Sequence, residues 1–380
     1  MLNLSSSNCW NRQSRRLIVR PFTLAVVLTA AIGLSACSSG NTGGDGSGNA
    51  AGDSAEPTEP TEVTLALGST SVANGLSMLA VDAGCFDKYD VIVNPVSGKS
   101  ASGALKILLS GDAEFMTGGT SEGLVGSAET APILMPLRLF GGASVSVVLS
   151  EDVAAATGVA ADAPIEDRLE ALEGLTIATV SASSVTTTTL RAAVETVGVQ
   201  VEEAYLDQTA MAAALSQGAV DGVVASSPYS NTMVHEGIGE MWVSGPEGEF
   251  PNTGIEYFFI PLGFTASYAE ENEDVVARVI AGYLDASDFV TDRPEEAKTV
   301  VRMSFSDVPE EVWDDVWEQN AESFTVPIPN EADLEQFAAI VPVESRDAVQ
   351  ELELRPLLGE EYLEAAQALR TEGPSSCASN

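Results

Sequence analysis

Basic residues and histidine are scarce in this chain of 380 residues. It carries 17 lysines and arginines against 56 acidic residues, which gives a formal net charge of −39 at pH 7. A field of that sign repels nucleic acid and anionic lipid, so we expect neither as a partner. His235 is the only histidine, and this excludes a His-dependent hydrolase and a His-rich metal centre.

Catalytic signatures are missing as well. No Gly-x-Ser-x-Gly elbow and no Walker-type loop occurs, and Gly118-Gly119 lacks the spacing of a dinucleotide fingerprint. Among 56 carboxylates no pair stands out as a general acid and base. We therefore expect a protein that is not an enzyme and that holds neither a metal nor a cofactor.

Long apolar runs are also missing after the N-terminal region. The run from Phe22 to Leu34 follows four arginines, Arg12, Arg15, Arg16 and Arg20. It is too short for a permanent membrane helix but suits the core of a signal peptide. The adjacent Arg15 and Arg16 leave both general secretion and twin-arginine export open.

The segment Leu34-Ser35-Ala36-Cys37 resembles the bacterial lipobox, in which the cysteine is acylated and becomes the first mature residue. We predict a signal peptide over residues 1–36, lipidation of Cys37 and an extracytoplasmic location, anchored to the cell membrane. An ordinary cleaved signal with an incidental cysteine is the alternative. Residues 37–62 are rich in Gly, Ser, Asn, Thr, Pro and acid, which predicts a flexible tether.

Lysine and cysteine are the next scarcities. The signal contains four of the 17 basic residues and no acidic one, so the mature chain has 13 − 56 = −43 charges. Such an acidic, lysine-poor surface fits saline surroundings, or simply keeps an exported protein soluble.

The chain has four cysteines. Cys9 lies in the predicted signal and Cys37 is the predicted lipidation site, so two cysteines are left. Cys85 and Cys377 either form a disulfide or stay as two free thiols.

Strand and helix patterns alternate from residue 63 onward. Val63–Leu67 alternates like a strand, helical spacing follows, and Gly111 stands where a helix should end. The pattern recurs after residue 175, and Leu109–Glu114 is a near copy of Leu215–Asp221. Alternating strands and helices predict mostly parallel sheets. The repeat predicts two similar α/β lobes.

Small hydroxyl residues and glycine dominate the loops after four predicted strands. In parallel sheets ligands bind beyond the carboxyl ends of the strands, where helix N-termini add partial positive charge. Ordinary helix capping is the alternative for each loop taken alone. The predicted ligand-binding residues are Ser69, Thr70, Ser71, Thr117, Gly118, Gly119, Thr120, Ser121, Ser181, Ser183, Ser184, Val185, Thr186, Ser226, Pro228 and Tyr229.

Several ordered segments carry a family resemblance. Ala83-Gly84-Cys85-Phe86 leads into Asp90-Val91-Ile92-Val93, and further matches follow at 104–114, 172–178, 218–222, 292–297 and 308–312. In this order they resemble the nitrate/sulfonate/taurine-type substrate-binding lipoproteins of ABC transporters, over about residues 63–325. The first loop departs from the family, because it reads Ser-Thr-Ser-Val-Ala where many relatives have an aromatic residue with His or Pro.

The resemblance implies an α/β, two-lobed type II periplasmic-binding-protein fold, with a mostly parallel sheet and flanking helices in each lobe and a two-strand hinge. Lobe 1 would comprise 63–145 and 258–380, with the C-terminal helices, and lobe 2 would comprise 146–257. The chain would be a monomer that captures a small organic or oxyanion solute by lobe closure. Its partners would be an ABC permease and its ATPase.

Two other functions stay open on the same fold. One is an enzyme acting on a pyrimidine or menaquinone precursor, and the other is a ligand sensor coupled to a membrane receptor. The nearest basic residues to the loops in sequence are Lys99, Arg138 and Arg191, so a multiply charged anion is disfavoured. A sulfonate, a carboxylate, or a neutral heterocycle stacked on Tyr229 would fit.

Overall fold

The structure is a computed structural model, and it describes residues 59–182, 184–251, 259–325, 328–370 and Cys377. The predicted signal peptide, Cys37 and most of the predicted tether lie outside the described residues. They therefore stay predictions.

Strands in the described part of the chain form two five-stranded sheets. Their bounds are β1 (Thr61–Leu67), β2 (Val91–Ser97), β3 (Phe115–Thr117), β4 (Ile133–Gly141), β5 (Val145–Ser150), β6 (Thr176–Thr179), β7 (Glu202–Tyr205), β8 (Gly222–Ser226), β9 (Gly239–Ser244) and β10 (Phe259–Thr265). The first sheet has the order β2-β1-β3-β10-β4 and the second β7-β6-β8-β5-β9.

Both sheets follow one plan. In the first, β1 pairs in parallel with β2 and β3, and β10 is antiparallel to both of its neighbours. In the second, β6 pairs in parallel with β7 and β8, and β5 is the antiparallel strand. Four strands of each sheet thus run in one direction and one runs against them. The predicted mostly parallel α/β fold in two similar lobes is confirmed.

Helices flank the two sheets. Their bounds are α1 (Gly75–Asp82), α2 (Ala101–Ser110), α3 (Thr120–Glu129), α4 (Glu151–Thr157), α5 (Ile165–Glu170), α6 (Val185–Val197), α7 (Gln208–Ser216), α8 (Tyr229–His235), α9 (Ala266–Glu271), α10 (Glu273–Asp292), α11 (Pro294–Met303), α12 (Glu310–Asn320), α13 (Glu331–Ile340), α14 (Val343–Gln350) and α15 (Glu360–Leu369). None of the described helices is long and apolar enough to cross a bilayer.

The helix ends follow their sequence signals. Ser100 caps α2 by accepting a hydrogen bond from the Gly103 N–H at 3.1 Å. Gly111 ends the same helix at φ 79°, in the left-handed region that glycine adopts without steric cost. The next strand, β3, begins only at Phe115, because the Asp112 N–H still donates to the Ile107 carbonyl at the helix end.

Two connections join the sheets. Residues 142–144 lead from β4 in the first sheet to β5 in the second, and residues 245–258 lead from β9 back to β10. The chain thus passes between the two sheets twice, as the predicted hinge requires. We retain the predicted lobe limits, 63–145 with 258–380 and 146–257, as a proposed division of the chain.

Both faces of the second sheet are buried. Val147 and Val148 are neighbours on β5 and are fully buried, yet they belong to different apolar clusters. Successive side chains of a strand point to opposite faces, so helices cover this sheet on both sides.

The C-terminal helices belong to the core of the first lobe. Trp313 and Trp317 on α12 are buried, and their rings lie against Phe305 and Phe324. Both tryptophans are therefore part of the apolar core. The Cys85 and Cys377 sulfur atoms are bonded at 2.07 Å across a separation of 292 residues. This bond ties the C-terminal segment to the end of α1.

Candidate ligand-binding site

A cavity of about 320 Å³ lies where the carboxyl ends of the parallel strands of both sheets face each other. This volume suits a small solute. The lining residues are Gly68, Ser69, Thr70, Ser71, Ala73, Asn74, Ser97, Lys99, Ser100, Ala101, Ser102, Gly118, Gly119, Glu122, Ser144, Val145, Val180, Ser181, Ser184, Val185, Thr186, Asp207, Gln208, Thr209, Ser226, Tyr229 and Ile260.

Glycine lets the loops of the first lobe approach each other closely. A Cβ at Gly68 would lie 2.8 Å from the Thr117 carbonyl oxygen and 3.2 Å from the Ala101 Cα. Both contacts are with backbone, so a larger residue would push the loops after β1 and β3 away from α2. Glycine at position 68 therefore allows the loops after β1 and β3 to lie close to α2 at the cavity.

A small polar network shapes the loop after β1. The Asn74 side-chain amide donates to the Ser69 carbonyl oxygen and to its hydroxyl, each at 2.9 Å. The Ser69 and Ser71 hydroxyls lie 2.9 Å apart. Because a carbonyl oxygen can only accept, the first bond fixes which end of the Asn74 amide is nitrogen.

The hydroxyls of the second lobe mainly build their own loop. Ser184 Oγ accepts from the Ser181 N–H at 3.2 Å and lies 2.8 Å from Thr186 Oγ1. Thr186 Oγ1 in turn accepts from the Val180 N–H at 3.1 Å. These bonds stabilise the turn before α6. They hold the loop in place at the edge of the cavity.

The two lobes touch at one side of the cavity. The Thr70 hydroxyl and the Tyr229 hydroxyl lie 2.9 Å apart, and the Val72 N–H donates to the Ser227 carbonyl at 2.9 Å. Farther out, His235 at the end of α8 pairs with Glu311 on α12 at 3.0 Å. The structure therefore shows the two lobes in contact beside the cavity.

Charge is sparse within the cavity lining. Among the described residues that line it, the charged ones are Lys99, Glu122 and Asp207, and Lys99 and Asp207 are exposed. Glu122 is 7% exposed, and burial raises the pKa of its carboxyl to about 7. Desolvation disfavours the charged form and exceeds the opposing effect of its backbone hydrogen bond.

Most of the predicted site residues come together at this cavity. Those that line it are Ser69, Thr70, Ser71, Gly118, Gly119, Ser181, Ser184, Val185, Thr186, Ser226 and Tyr229. Ser183 lies outside the described residues. The structure thus brings together residues from all four loops.

Four predicted residues stand beside the cavity rather than in its lining. Thr117 and Thr120 are buried, and the Thr120 hydroxyl donates to the Phe259 carbonyl at 2.9 Å. Ser121 is buried in the first turn of α3. Pro228 follows a cis peptide bond and lines a neighbouring cavity with Ser304–Val308. Helix and turn geometry turns these side chains away from the cavity, although their backbone follows the strand ends.

Two further loops were missed at the sequence level. One extends from Ser97, the last residue of β2, to Ser102 in the first turn of α2, and the other is Asp207–Thr209 after β7; residues of both line the cavity. The rule that ligands meet the ends of parallel strands would have found the loop after β2. The loop after β7 escaped because Glu202–Tyr205 is short, polar and partly exposed. Nothing local distinguishes Glu122 from the other acidic residues.

Comparison with known proteins identifies the family. The sequence profile of the NMT1-like family matches residues 56–304, about two thirds of the chain. No curated protein matches the chain. Among solved structures, the alkanesulfonate-binding protein SsuA from Xanthomonas axonopodis pv. citri has a TM-score of 0.60 at 16% identity, covering 74% of this chain and 91% of that one.

Two further structures show the same fold. The periplasmic nitrate-binding protein NrtA from Synechocystis PCC 6803 has a TM-score of 0.61 at 15% identity, covering 84% of this chain and 93% of that one. The desulfurization enzyme DSZB has a TM-score of 0.56 at 14% identity, covering 81% of this chain and 99% of that one. The fold thus occurs in binding proteins and in an enzyme. By its sequence and its two sheets of matching topology, the chain belongs to the NMT1-like family and has the two-lobed fold of periplasmic binding proteins.

Proposed function

We propose that this protein is an extracytoplasmic solute-binding lipoprotein that captures a small molecule between its lobes and delivers it to an ABC importer. The single observation that carries the proposal is the cavity lined by strand-end loops of both sheets. The names of SsuA and NrtA, binding proteins of this fold, support the same role.

Lobe closure provides the mechanism. A solute that contacts loops from both sheets binds the closed arrangement better than an open one. It therefore shifts the population toward closure by its difference in affinity for the two states. The contacts from Thr70 to Tyr229 and from Val72 to Ser227 form only when the loops that carry them meet. A permease could then distinguish loaded from empty protein by shape.

Binding can be tested without knowing the solute. The purified mature chain is incubated with concentrated growth medium and cell extract, dialysed, and examined by native mass spectrometry for a bound mass. Each identified compound is then tested by thermal unfolding. A solute at a hundredfold its Kd should stabilise the protein by about 2.7 kcal/mol. The absence of any bound mass would contradict the proposed function.

A matched pair of variants places the solute. Ser102 lines the cavity in the first turn of α2, whereas Ser110 is exposed at the other end of the same helix. Ser102→Trp should block the cavity and abolish binding, while Ser110→Trp should leave binding intact. Equal binding by both variants would place the solute elsewhere.

Anchoring and delivery have separate tests. Wild-type protein should fractionate with membranes and Cys37→Ser should be released, while Cys9→Ser within the signal should behave as wild type. Deletion of the gene should abolish uptake of the isotope-labelled solute, and complementation should restore it. Uptake that continues unchanged would favour the sensor function instead.

A catalytic function has one observation in its favour. Glu122 is a buried carboxyl in the cavity with a pKa raised to about 7, as in many general acids and bases. DSZB also shows that an enzyme can have this fold. Mass spectrometry of the bound compound after prolonged incubation separates the functions, because a binding protein returns it unchanged.

A further inference from the structure

We propose that the cavity binds a solute through a nitrogen group rich in N–H donors, such as an amidinium, an ammonium or an amino-substituted ring, and that Glu122 is the acceptor that anchors it. The inference rests on the proposed solute-binding function. It adds the chemical class of the solute.

The position of Glu122 is the first argument. It is the third residue of α3, its side chain is 7% exposed, and it belongs to the lining of the cavity. The backbone N–H of Glu122 lies close to its own carboxyl, but no other residue of the described structure donates a hydrogen bond to either carboxyl oxygen. Oε2 lies 2.1 Å from the point where a Cβ on Gly119 would stand, so the absent side chain of Gly119 makes room for the carboxyl.

The energetic state of this carboxyl is the second argument. An ionised group that is buried without a partner is strongly destabilised until a partner binds it. The first turn of a helix offsets only part of this. Among the described lining residues, Lys99 and Asp207 are the other charged ones, and both are exposed. No charged side chain contributes to the shift of the Glu122 pKa, so no cation of the protein compensates its charge. A donor from the solute would satisfy both oxygens.

A second unpartnered acceptor reinforces the argument. Asn74 is 3% exposed and lines the same cavity, and its Oδ1 has no donor in the described structure. Its orientation is fixed, because its nitrogen donates to the Ser69 carbonyl. The first lobe therefore offers three unpaired acceptor atoms, two on Glu122 and one on Asn74. A solute with several N–H donors matches this set.

The same features disfavour an oxyanion. A sulfonate, nitrate or carboxylate would bring a second negative charge into a partly desolvated cavity that already holds Glu122. Like charges repel more strongly there than in water. In the described part of the chain, the exposed Lys99 is the one basic residue of the cavity lining. The solutes in the names of SsuA and NrtA therefore do not carry over to this chain.

The test uses compounds that share one ring and differ in the polar group. Benzamidine, benzamide, benzoate and benzenesulfonate are titrated at pH 8 by calorimetry and thermal unfolding, with 4-aminopyridine and nitrate added. Benzamidine or 4-aminopyridine should bind at least tenfold more tightly than any of the anions. Preference for an anion, or binding of no compound in the series, overturns the inference. The proposed function is then judged separately by the native mass spectrometry described above.

Variants assign the effect to Glu122. Glu122→Gln keeps the shape and removes the charge, and should raise the Kd of benzamidine at least tenfold at pH 8. Glu195→Gln removes the same charge from the exposed surface of α6 and should leave the Kd unchanged. Equal affinities of the two variants would contradict the assignment.

Gly119→Ala provides a second perturbation without any change of charge. The backbone φ of Gly119 is −73°, which alanine adopts freely, so the added methyl group acts mainly by displacing the Glu122 carboxyl. The Kd of the Gly119→Ala variant for benzamidine should rise as it does in Glu122→Gln. Circular dichroism and the unfolding midpoint verify that the variant is folded. An unchanged Kd would show that the carboxyl position is not important.

The pH dependence has a definite sign. Benzamidine stays cationic between pH 6 and pH 8, and it pairs with the ionised carboxyl, so its affinity should rise over this interval in the wild type. In Glu122→Gln the affinity for benzamidine should no longer change between pH 6 and pH 8. In Lys99→Gln and Asp207→Asn, which alter the other charged groups of the described lining, the affinity should still rise with pH. A wild-type affinity that falls with rising pH would mean that the protonated acid donates to the solute, against the inference.

Discussion

At the residue scale, Glu122 combines properties that usually exclude each other. It is an acidic residue in the first turn of a helix, yet it is buried and its oxygens accept no hydrogen bond from another residue of the described structure. Soluble proteins rarely retain such a group without compensation. Its burial therefore links the stability of the free protein to pH.

Glu122→Gln should change this pH dependence. In the wild type the carboxyl pKa rises from an ordinary 4.5 to about 7 on folding. The stabilising contribution of the protonated form is fully present below pH 4.5 and is lost as pH rises through 7. A shift of this size corresponds to about 3 kcal/mol. Denaturant unfolding measures the free energy of unfolding at pH 5 and at pH 8. This free energy should fall by most of that amount from pH 5 to pH 8 in the wild type and in Glu195→Gln, but not in Glu122→Gln.

At the element scale, the repeated helix–glycine–strand segment has the same structure in both lobes. The Thr64 N–H donates to Glu114 Oε2 at 2.7 Å, and the Thr176 N–H donates to Asp221 Oδ2 at 2.8 Å. In return, the Glu114 and Asp221 N–H groups donate to the carbonyls of Thr64 and Thr176. The acidic residue of each copy thus fixes the register of a central strand with its neighbour.

Removal of either carboxylate should destabilise its sheet. Hydrogen bonds to charged groups contribute about 1.5–3 kcal/mol, so Glu114→Ala and Asp221→Ala should each lower the free energy of unfolding by this amount. Asp112 lies in the same turn as Glu114 but accepts only from the exposed Ser110 hydroxyl. Asp112→Ala should change stability by less than about 0.5 kcal/mol. Equal effects of all three substitutions in urea unfolding would refute this role.

At the scale of the whole molecule, two features join distant parts of the chain. The bond between Cys85 and Cys377 closes a loop of nearly the full described length. The contact between Thr70 and Tyr229 joins the lobes beside the cavity. The first constrains the unfolded chain, and the second influences the balance between closed and open forms.

Loss of the disulfide should destabilise the protein strongly. Cys377→Ser should lower the free energy of unfolding by about 2–5 kcal/mol, because long loops lose much entropy when they are closed. Addition of a reductant should lower the unfolding midpoint of wild type toward that of the variant. If the unfolding midpoint of the wild type does not change when the reductant is added, the disulfide contributes nothing to stability.

Loss of the contact between Thr70 and Tyr229 should change solute affinity and the separation of the lobes rather than the free energy of unfolding. Tyr229→Phe removes one partly exposed hydrogen bond, so solute affinity should fall by a factor of about two to ten. X-ray scattering should show a larger radius of gyration for the free variant. Tyr205→Phe removes a hydroxyl that bonds Glu203 within the second lobe and serves as the control. An unchanged radius and affinity in Tyr229→Phe would exclude a role in closure.

The alternating pattern, the helix ends at Gly111 and Gly198 and the small polar loops could all be read from the sequence, because each depends on residues close in the chain. The edge strand β7 could not, because its partner β6 rather than its own apolar pattern holds it in the sheet. The antiparallel directions of β5 and β10 are likewise set by partners far away in the chain.

Two α/β lobes with hydroxyl-rich strand ends follow from local signals, because hydrophobic periodicity and glycine positions act between residues close in the chain. The packing of distant segments sets which loops face each other, and it buries Glu122, one of 56 acidic residues, in the cavity. Burial and the supply of hydrogen-bond partners are set by residues distant in sequence. The chemistry of the site is therefore a property of the folded chain.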